Sequence, residues 1–204
     1  MEHYIKTKTK YTPYFNHGSP ISKGLILLVH PNHKDTQISH QIIIPGQLSK
    51  FTLLINQRTY NIIVIYGPSE SDDHQFFKTN LFNYNTLPSN DTNIVVGDFN
   101  AVQDHHLDCR NYTTQTSPKT TLAINTAKLE HSLVDPYRER HNVSRIFSWK
   151  RFNEDKHSRI DYFLISQKLY PFIKKNYIQT HRFLLYNWPQ RSTSTHHFFK
   201  HKKR

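Results

Sequence analysis

Asn93-Ile94-Val95-Val96-Gly97-Asp98-Phe99-Asn100 is the stretch on which the reading of this chain turns. Its apolar, β-branched run has no polar alternation, which suits a strand covered on both faces of a sheet. The run leads directly into a carboxylate and an amide two residues apart. Gly97 lets the backbone bend sharply, and the i, i+2 spacing sends Asp98 and Asn100 to one side while Phe99 points to the other. The strand's end then offers an anionic acceptor able to take a proton or hold a cation, beside an amide that both donates and accepts. Such a pair suits phosphate-ester chemistry, in which a water is aligned and a charged oxygen steadied. Gly-Asp-x-Asn is also ordinary turn composition, because Asp and Asn cap helices and tolerate left-handed geometry. On this stretch alone both readings stand.

The neighbouring sequence places the stretch in an α/β frame. Asn61-Ile62-Ile63-Val64-Ile65-Tyr66 reads as another central strand, closed by Gly67-Pro68. Between the two, Phe76, Phe77, Leu81, Tyr84 and Leu87 recur at near-helical spacing behind Ser71, Asp72 and Asp73, predicting a helix from about residue 72 to 87. The order is βαβ. Upstream, Gly24 to Val29 reads as a buried strand, and the runs Gln41–Ile44 and Phe51–Ile55 flank Pro45-Gly46 as a hairpin. Downstream, Leu122, Thr126, Leu129 and Leu133 predict one face of a helix from about Lys119 to Val134, stopped by Pro136. Ile146–Trp149 and Ile160–Ile165 read as strands joined by a charged loop. Leu169, Phe172 and Ile173 suggest a short helical turn interrupted at Pro171.

At 204 residues the chain suits one substantial domain. Residues 1–20 read as an extended lead-in, 21–180 as the domain, and 181–204 as a basic, poorly ordered tail in which aromatic and basic residues alternate without period. The formal net charge is +12, and no Asp or Glu follows Asp161 while nine Lys or Arg do. That balance favours a polyanionic partner, nucleic acid before an acidic membrane surface. The single cysteine, Cys109, excludes an intrachain disulfide and a zinc-type cluster. No apolar run approaches eighteen residues, and the start lacks an apolar leader core, so the expectation is an intracellular protein, nuclear or cytoplasmic, off the membrane.

Tyr66, Asp98, Asn100 and Asp161 all fall at predicted strand ends, where ligand crevices form in sheets flanked by helices. Asp161 is the sharpest case, a carboxylate inside Ser158-Arg159-Ile160-Asp161-Tyr162-Phe163-Leu164-Ile165-Ser166. A buried carboxylate needs a partner. Either it forms a structural ion pair with Arg159 or another arginine, or it orients an imidazole or an attacking water. Asp104, Asp108 and Arg110 admit the plain reading of a solvated loop.

Six motifs occur together in order: Ile65-Tyr66-Gly67-Pro68 with Phe76-Phe77 downstream, Val96-Gly97-Asp98-Phe99-Asn100, Asp108-x-Arg110, Leu133-Val134-Asp135-x-x-Arg138, Phe147-Ser148-Trp149 and Ser158-Arg159-Ile160-Asp161-Tyr162. Over about residues 20 to 180 this pattern resembles the endonuclease/exonuclease/phosphatase superfamily, most of all the endonuclease domains of LINE-type retrotransposons, relatives of the apurinic/apyrimidinic endonucleases. The resemblance implies a Mg²⁺- or Mn²⁺-dependent phosphodiesterase acting on nucleic acid, DNA first, built as a four-layer α/β sandwich of two mostly antiparallel sheets with helices outside. It implies that Asp98 activates or positions the attacking water and Asn100 holds the scissile phosphate. Tyr66 would steady the phosphate charge, and Asp161 would orient a catalytic histidine. Ser148 and Trp149 would lie near the nucleic-acid surface, with Arg159 and Arg110 as substrate contacts.

Two elements of the family pattern have no direct counterpart, and the domain is therefore expected to be incomplete at both ends. The metal-binding Glu that precedes the strand at Gly24 is absent, with Glu2 as a remote substitute. The closing Ser-Asp-His motif is represented only by Ser194-Thr195-His196-His197. The alternative function is a catalytically inactive remnant that binds nucleic acid through charge.

Overall fold

In a computed structural model, residues 5, 7–19, 22–69, 74–89, 92–111 and 117–173 are described. Glu2, the start of the first predicted helix at Ser71, Asp72 and Asp73, and the tail with His196 and His197 lie outside the described residues. A six-stranded sheet is the centre of the molecule, in spatial order β3 (Gln37–Ile44), β4 (Leu48–Ile55), β5 (Arg58–Tyr66), β6 (Asn93–Asp98), β11 (Asp161–Ser166) and β8 (Leu133–Val134). All neighbours are antiparallel except β5 and β6, whose parallel pairing follows from the intervening crossover. The fold is α/β with several packed sheets.

One face of this sheet carries Ile63, Ile65, Val95, Tyr162 and Leu164 against Phe77, Leu81, Leu87, Ile124 and Ala127 from the helical layer. The other face carries Phe51 and Val64 against Leu25 of a two-stranded sheet, β1 (Thr12–Ser19) and β2 (Ser22–Val29), with Tyr14, Ile62, Tyr66 and Val96 around them. The predicted lead-in is thus part of the packed structure from Thr12 onward. Asn16 of β1 is buried, donates through Nδ2 to Ile44 O at 3.0 Å, and accepts from Gly46 N at 2.7 Å. It satisfies backbone groups of the β3–β4 turn that burial would otherwise leave unpaired.

Four elements differ from their sequence reading, one of them the predicted strand Ile146–Trp149, of which only Trp149 lies in a strand, Trp149–Lys150. The first helix is π-wound over Phe76–Leu81 and ends there, with Phe82 N donating to Phe77 O at 2.9 Å. Buried Phe76 and Phe77 are followed five residues later by buried Leu81 and Phe82, a spacing that π winding brings onto one side; Tyr84 points to solvent. The helix α2 (Pro118–Glu130) buries Thr120, Ile124 and Ala127, whereas Leu122 and Leu129 are exposed. Leu133 belongs to β8 instead, reached through left-handed Ser132 at φ 48°. Pro136 begins α3 (Pro136–Arg140) rather than stopping a helix, because Asp135 caps it by accepting from Tyr137 N at 3.0 Å and Arg138 N at 3.2 Å.

The segment after Asn100 is ordered as α1 (His105–Asp108), capped by Asp104, and β7 (Cys109–Arg110). With β9 (Trp149–Lys150) and β10 (His157–Ser158), β7 forms a three-stranded sheet in the order β7-β10-β9. This small sheet hands the chain directly to β11, so it sits next to the end of that strand bearing Asp161.

Candidate active site

Tyr66, Asp98 and Asp161 are register partners across three adjacent strands: Tyr66 lies opposite Asp98 in the parallel β5–β6 pair, and Asp161 opposite Asp98 in the antiparallel β6–β11 pair. Register partners project from the same face, so a hydroxyl and two carboxylates stand abreast at one end of the sheet. That face is the one shared by Val64 and Val96, toward the two-stranded sheet.

Two glycines permit this arrangement. Gly97 has φ 143°, and a Cβ there would come within 2.0 Å of Ile65 O. A Cβ on Gly67 would meet Phe99 O at 2.3 Å. Any side chain at either position would prise β5 away from the end of β6. With both bare, Gly67 N donates to Asp98 O at 2.7 Å and Phe99 N to Ile160 O at 2.7 Å, which locks the strand end between its neighbours. Phe99 turns inward, fully buried between Phe77 and Tyr162.

Asn100 follows in the left-handed region at φ 48°. Its N–H donates to Asp98 Oδ1 at 2.8 Å, and its Nδ2 donates to Gly67 O at 2.7 Å. An amide nitrogen has two protons, so one N–H of Asn100 stays available to a ligand, as does Oδ2 of Asp98. The turn and the site are therefore the same object: the turn geometry aims the two groups.

Burial is the main influence on Asp98. Its carboxyl is pushed up to about 7, chiefly by burial and further by the neighbouring Asp161 charge, against the lowering effect of the Asn100 N–H. Asp161 is also raised by burial and lowered by its hydrogen bond to Ser148. Ser148 Oγ accepts from the N–H groups of Ile160 and Asp161, both at 3.1 Å, which leaves its proton for the Asp161 carboxylate. Ser148, expected at the nucleic-acid surface, thus also fixes the start of β11. Among the described residues the hydrogen-bond partner of the Asp161 carboxylate is this hydroxyl and not an imidazole.

Arg159 is not at the rim. Its side chain is 7% exposed, ion-paired with Asp135 and, at 3.5 Å, with Asp108, and it lies over the rings of Tyr137 and Tyr162. The expectation of a substrate contact at Arg159 is corrected: a guanidinium closed in by two carboxylates and two rings has no face left for a phosphate. Nor is Asp108 in a solvated loop, since it is buried and also pairs with Arg138. Tyr162 Oη donates to Arg159 O at 2.9 Å and accepts from Gln103 N at 2.9 Å, tying this cluster to the loop after Asn100. The sequence signal for the cluster was the pair Asp108-x-Arg110 and Asp135-x-x-Arg138, but only the fold shows that Asp108, Asp135, Arg138 and Arg159 meet. Arg110 is half-exposed and bridges to Asp155 at 2.9 Å, and Trp149 is half-buried on β9.

Several solved structures share this architecture. The apurinic/apyrimidinic endonuclease of Leishmania major superposes with TM-score 0.61 and 14% identity, over 79% of this chain and 63% of that one. The endonuclease domain of TRAS1, a telomere-specific non-LTR retrotransposon, superposes with TM-score 0.59 and 9% identity, over 80% and 70%. Zebrafish (D. rerio) TDP2 complexed with a single-strand DNA product gives TM-score 0.53 and 12% identity, over 81% and 66%. The chain shares the fold of these structures. No protein-family model matches it. In sequence it is 29% identical over 160 residues to a 149 kDa protein of transposon TX1 from Xenopus laevis, covering 76% of this chain and spanning 12% of that relative's length.

The resemblance read from the sequence implies a divalent cation, and the residues present can be tested for their fit to one. Among the described residues no group of three or more His, Cys, Asp or Glu converges. Asp98 and Asp161 nevertheless fit one side of a Mg²⁺ site, because this ion takes one or two carboxylates and completes its shell with water and substrate oxygens. Burial raises both carboxyls, and the Asp161 charge raises Asp98 further, so the pair would gain from a positive charge. Among the described residues no helix is long and apolar enough to cross a membrane.

Proposed function

We propose that this chain hydrolyses nucleic-acid phosphodiesters, as a Mg²⁺-dependent, retrotransposon-type endonuclease domain that nicks DNA by in-line attack of water. The observation that carries the reading is the register of Tyr66, Asp98 and Asp161 at one sheet end, with Asn100 folded over Asp98. Asp98, poised near neutrality, takes a proton from the attacking water through Oδ2 while Oδ1 stays on the Asn100 N–H. The second Nδ2 proton of Asn100 and the Tyr66 hydroxyl donate to the non-bridging phosphate oxygens as charge builds on them. Ser148 holds Asp161 in place. Asp161 is the group that would hold the cation beside Asp98, and the ion would supply charge neutralisation at the phosphate when bound. Arg110, Ser148 and Trp149 on and beside the small sheet take the flanking nucleic acid, and the net charge of +12 adds a general attraction for it.

The test is nicking of supercoiled plasmid. Open-circular product should require Mg²⁺ and fall to background in Asp98→Ala; an unchanged rate in that variant overturns the mechanism. A second reading, a remnant that binds nucleic acid through charge without cleaving it, is favoured by the lack of a third metal-binding side chain among the described residues. It calls for retention on DNA that weakens steeply with salt and no product at any Mg²⁺ concentration.

A further inference from the structure

Asn100 stands in the left-handed region at φ 48°, a conformation that a residue with a side chain keeps only where its surroundings hold it there. On its N-terminal side Phe99 N donates to Ile160 O at 2.7 Å and Asn100 N to Asp98 Oδ1 at 2.8 Å. On its C-terminal side the chain runs through buried Ala101 and half-buried Gln103 toward α1. The side-chain amide of Gln103 has no hydrogen-bond partner among the described residues, so this residue is tied to the core by its main chain.

The group that holds this main chain is Tyr162. Its buried side chain leaves β11 on the face opposite to Asp161. The ring meets Phe99 edge-on, with centroids 5.3 Å apart and planes at 79°, while Oη accepts from Gln103 N at 2.9 Å. One side chain therefore grips both the residue before Asn100 and the loop after it. Tyr162 is fixed in its turn: Oη donates to Arg159 O at 2.9 Å, and the Arg159 guanidinium lies 4.6 Å from the ring centroid. Arg159 is held by its ion pairs with Asp135 and Asp108. The buried charges thus reach the rim through a phenol.

We infer that Tyr162 is a positioning residue of the rim, which fixes the left-handed turn at Asn100 and so aims the remaining N–H of the Asn100 amide. Its part in cleavage rests on the phosphodiesterase reading; its hold on Asn100 rests on the geometry alone. Tyr162 points away from the rim and acts only through Asn100. Without its hydroxyl the ring still packs and Asn100 is still present, but the turn is free to open and to carry Nδ2 away from Gly67 O. A donor displaced in that way misses the phosphate oxygen, and small displacements of preorganised groups are costly in rate.

The experiment compares Tyr162→Phe with Ser166→Ala in the full chain. The second variant also deletes a buried hydroxyl from β11, at the far end of the strand, where Ser166 Oγ accepts from Asn93 N at 2.9 Å. In amide hydrogen exchange read by NMR, without metal or DNA, Tyr162→Phe should speed exchange at Asn100 N by about fivefold or more, and Ser166→Ala should leave it unchanged. In plasmid nicking, Tyr162→Phe should lower kcat by about tenfold with KM unchanged. A merely structural tyrosine would lower the unfolding free energy as the serine does and leave the Asn100 exchange rate at the parent's. Phe99→Leu removes the ring contact and keeps the hydroxyl, and should speed the same amide, which keeps the test decisive if Tyr162→Phe fails to fold. An Asn100 exchange rate equal to the parent's in either variant overturns the inference, as does an unchanged kcat in Tyr162→Phe when the parent nicks DNA. A parent that does not nick overturns the proposed function instead, and the exchange rates then decide the hold of Tyr162 on Asn100 by themselves.

Discussion

Asp98 and Asp161 are register partners on antiparallel strands, two carboxylates facing the same way from adjacent backbone positions of a sheet. Burial opposes the ionisation of both carboxyls, and the Asp161 charge adds to the effect on Asp98. The site therefore carries a cost in stability that its chemistry requires, and that cost can be measured.

Asp98→Asn should stabilise the metal-free protein, increasingly so as pH rises. The folded carboxyl sits at about 7 against an ordinary 3.8, so the folded state holds the proton more tightly than the unfolded chain. The stabilisation is complete below about pH 4 and is lost as pH climbs through 7. At pH 8 the ionised Asp98 costs roughly 4 kcal/mol at ~1.4 kcal/mol per pH unit, and the asparagine avoids it. Urea unfolding in EDTA at pH 4, 6 and 8 measures the difference between variant and parent. A gain that does not change with pH would show that Asp98 does not ionise against its surroundings.

Tyr66→Phe separates chemistry from packing. The ring stays in the apolar layer with Val64 and Leu25, so stability should move by less than about 1 kcal/mol. The nicking rate should fall by roughly 10²-fold, the usual effect of deleting one donor to a developing oxyanion. An undiminished rate would remove the hydroxyl from the mechanism.

Gly97→Ala tests the close approach of β5 to β6. The new Cβ would meet Ile65 O at 2.0 Å, and the φ of 143° is one that L-residues rarely adopt. Destabilisation of roughly 2–4 kcal/mol is expected from overpacking and backbone strain together. A loss under ~0.5 kcal/mol in chemical denaturation would mean that the strands part without difficulty.

Arg159 and Arg110 should behave in opposite ways. Arg159→Ala leaves Asp108 and Asp135 buried with one partner fewer, for a loss of roughly 3–5 kcal/mol. Arg110→Ala breaks only a half-exposed bridge to Asp155 and should change stability by less than about 0.5 kcal/mol, yet weaken DNA binding. Thermal unfolding beside DNA retention on both variants tells structural from contact arginine, and an exchange of the two patterns would refute the assignment.

The central strands, the β3–β4 hairpin and the βαβ crossover were legible because continuous β-branched runs bounded by Gly and Pro leave few alternatives. The face of α2 was not. Leu122, Ile124, Ala127 and Leu129 supply apolar residues around much of the helix, and its phase depends on how Pro118 and Ser132 join it to the sheet. Pro136 misled for a related reason: a proline ends a helix or begins one, and the capping side chain of Asp135 decides which. The π winding of Phe76–Leu81 puts Phe76, Phe77, Leu81 and Phe82 on the sheet together, and their five-residue spacing became readable only once burial showed which aromatic residues face inward and that Tyr84 does not.

Sequence alone determined which residues can do chemistry here. A carboxylate and an amide at the end of a buried strand, a tyrosine before Gly-Pro and an aspartate inside an apolar run are local facts that strand periodicity turns into positions. Tertiary structure decided which of them meet. The registers of β5, β6 and β11 set Tyr66, Asp98 and Asp161 side by side, and ion pairing with Asp108 and Asp135 drew Arg159 into the interior. Register and burial arise from contacts between segments far apart in the chain, and a strand's own letters do not carry them.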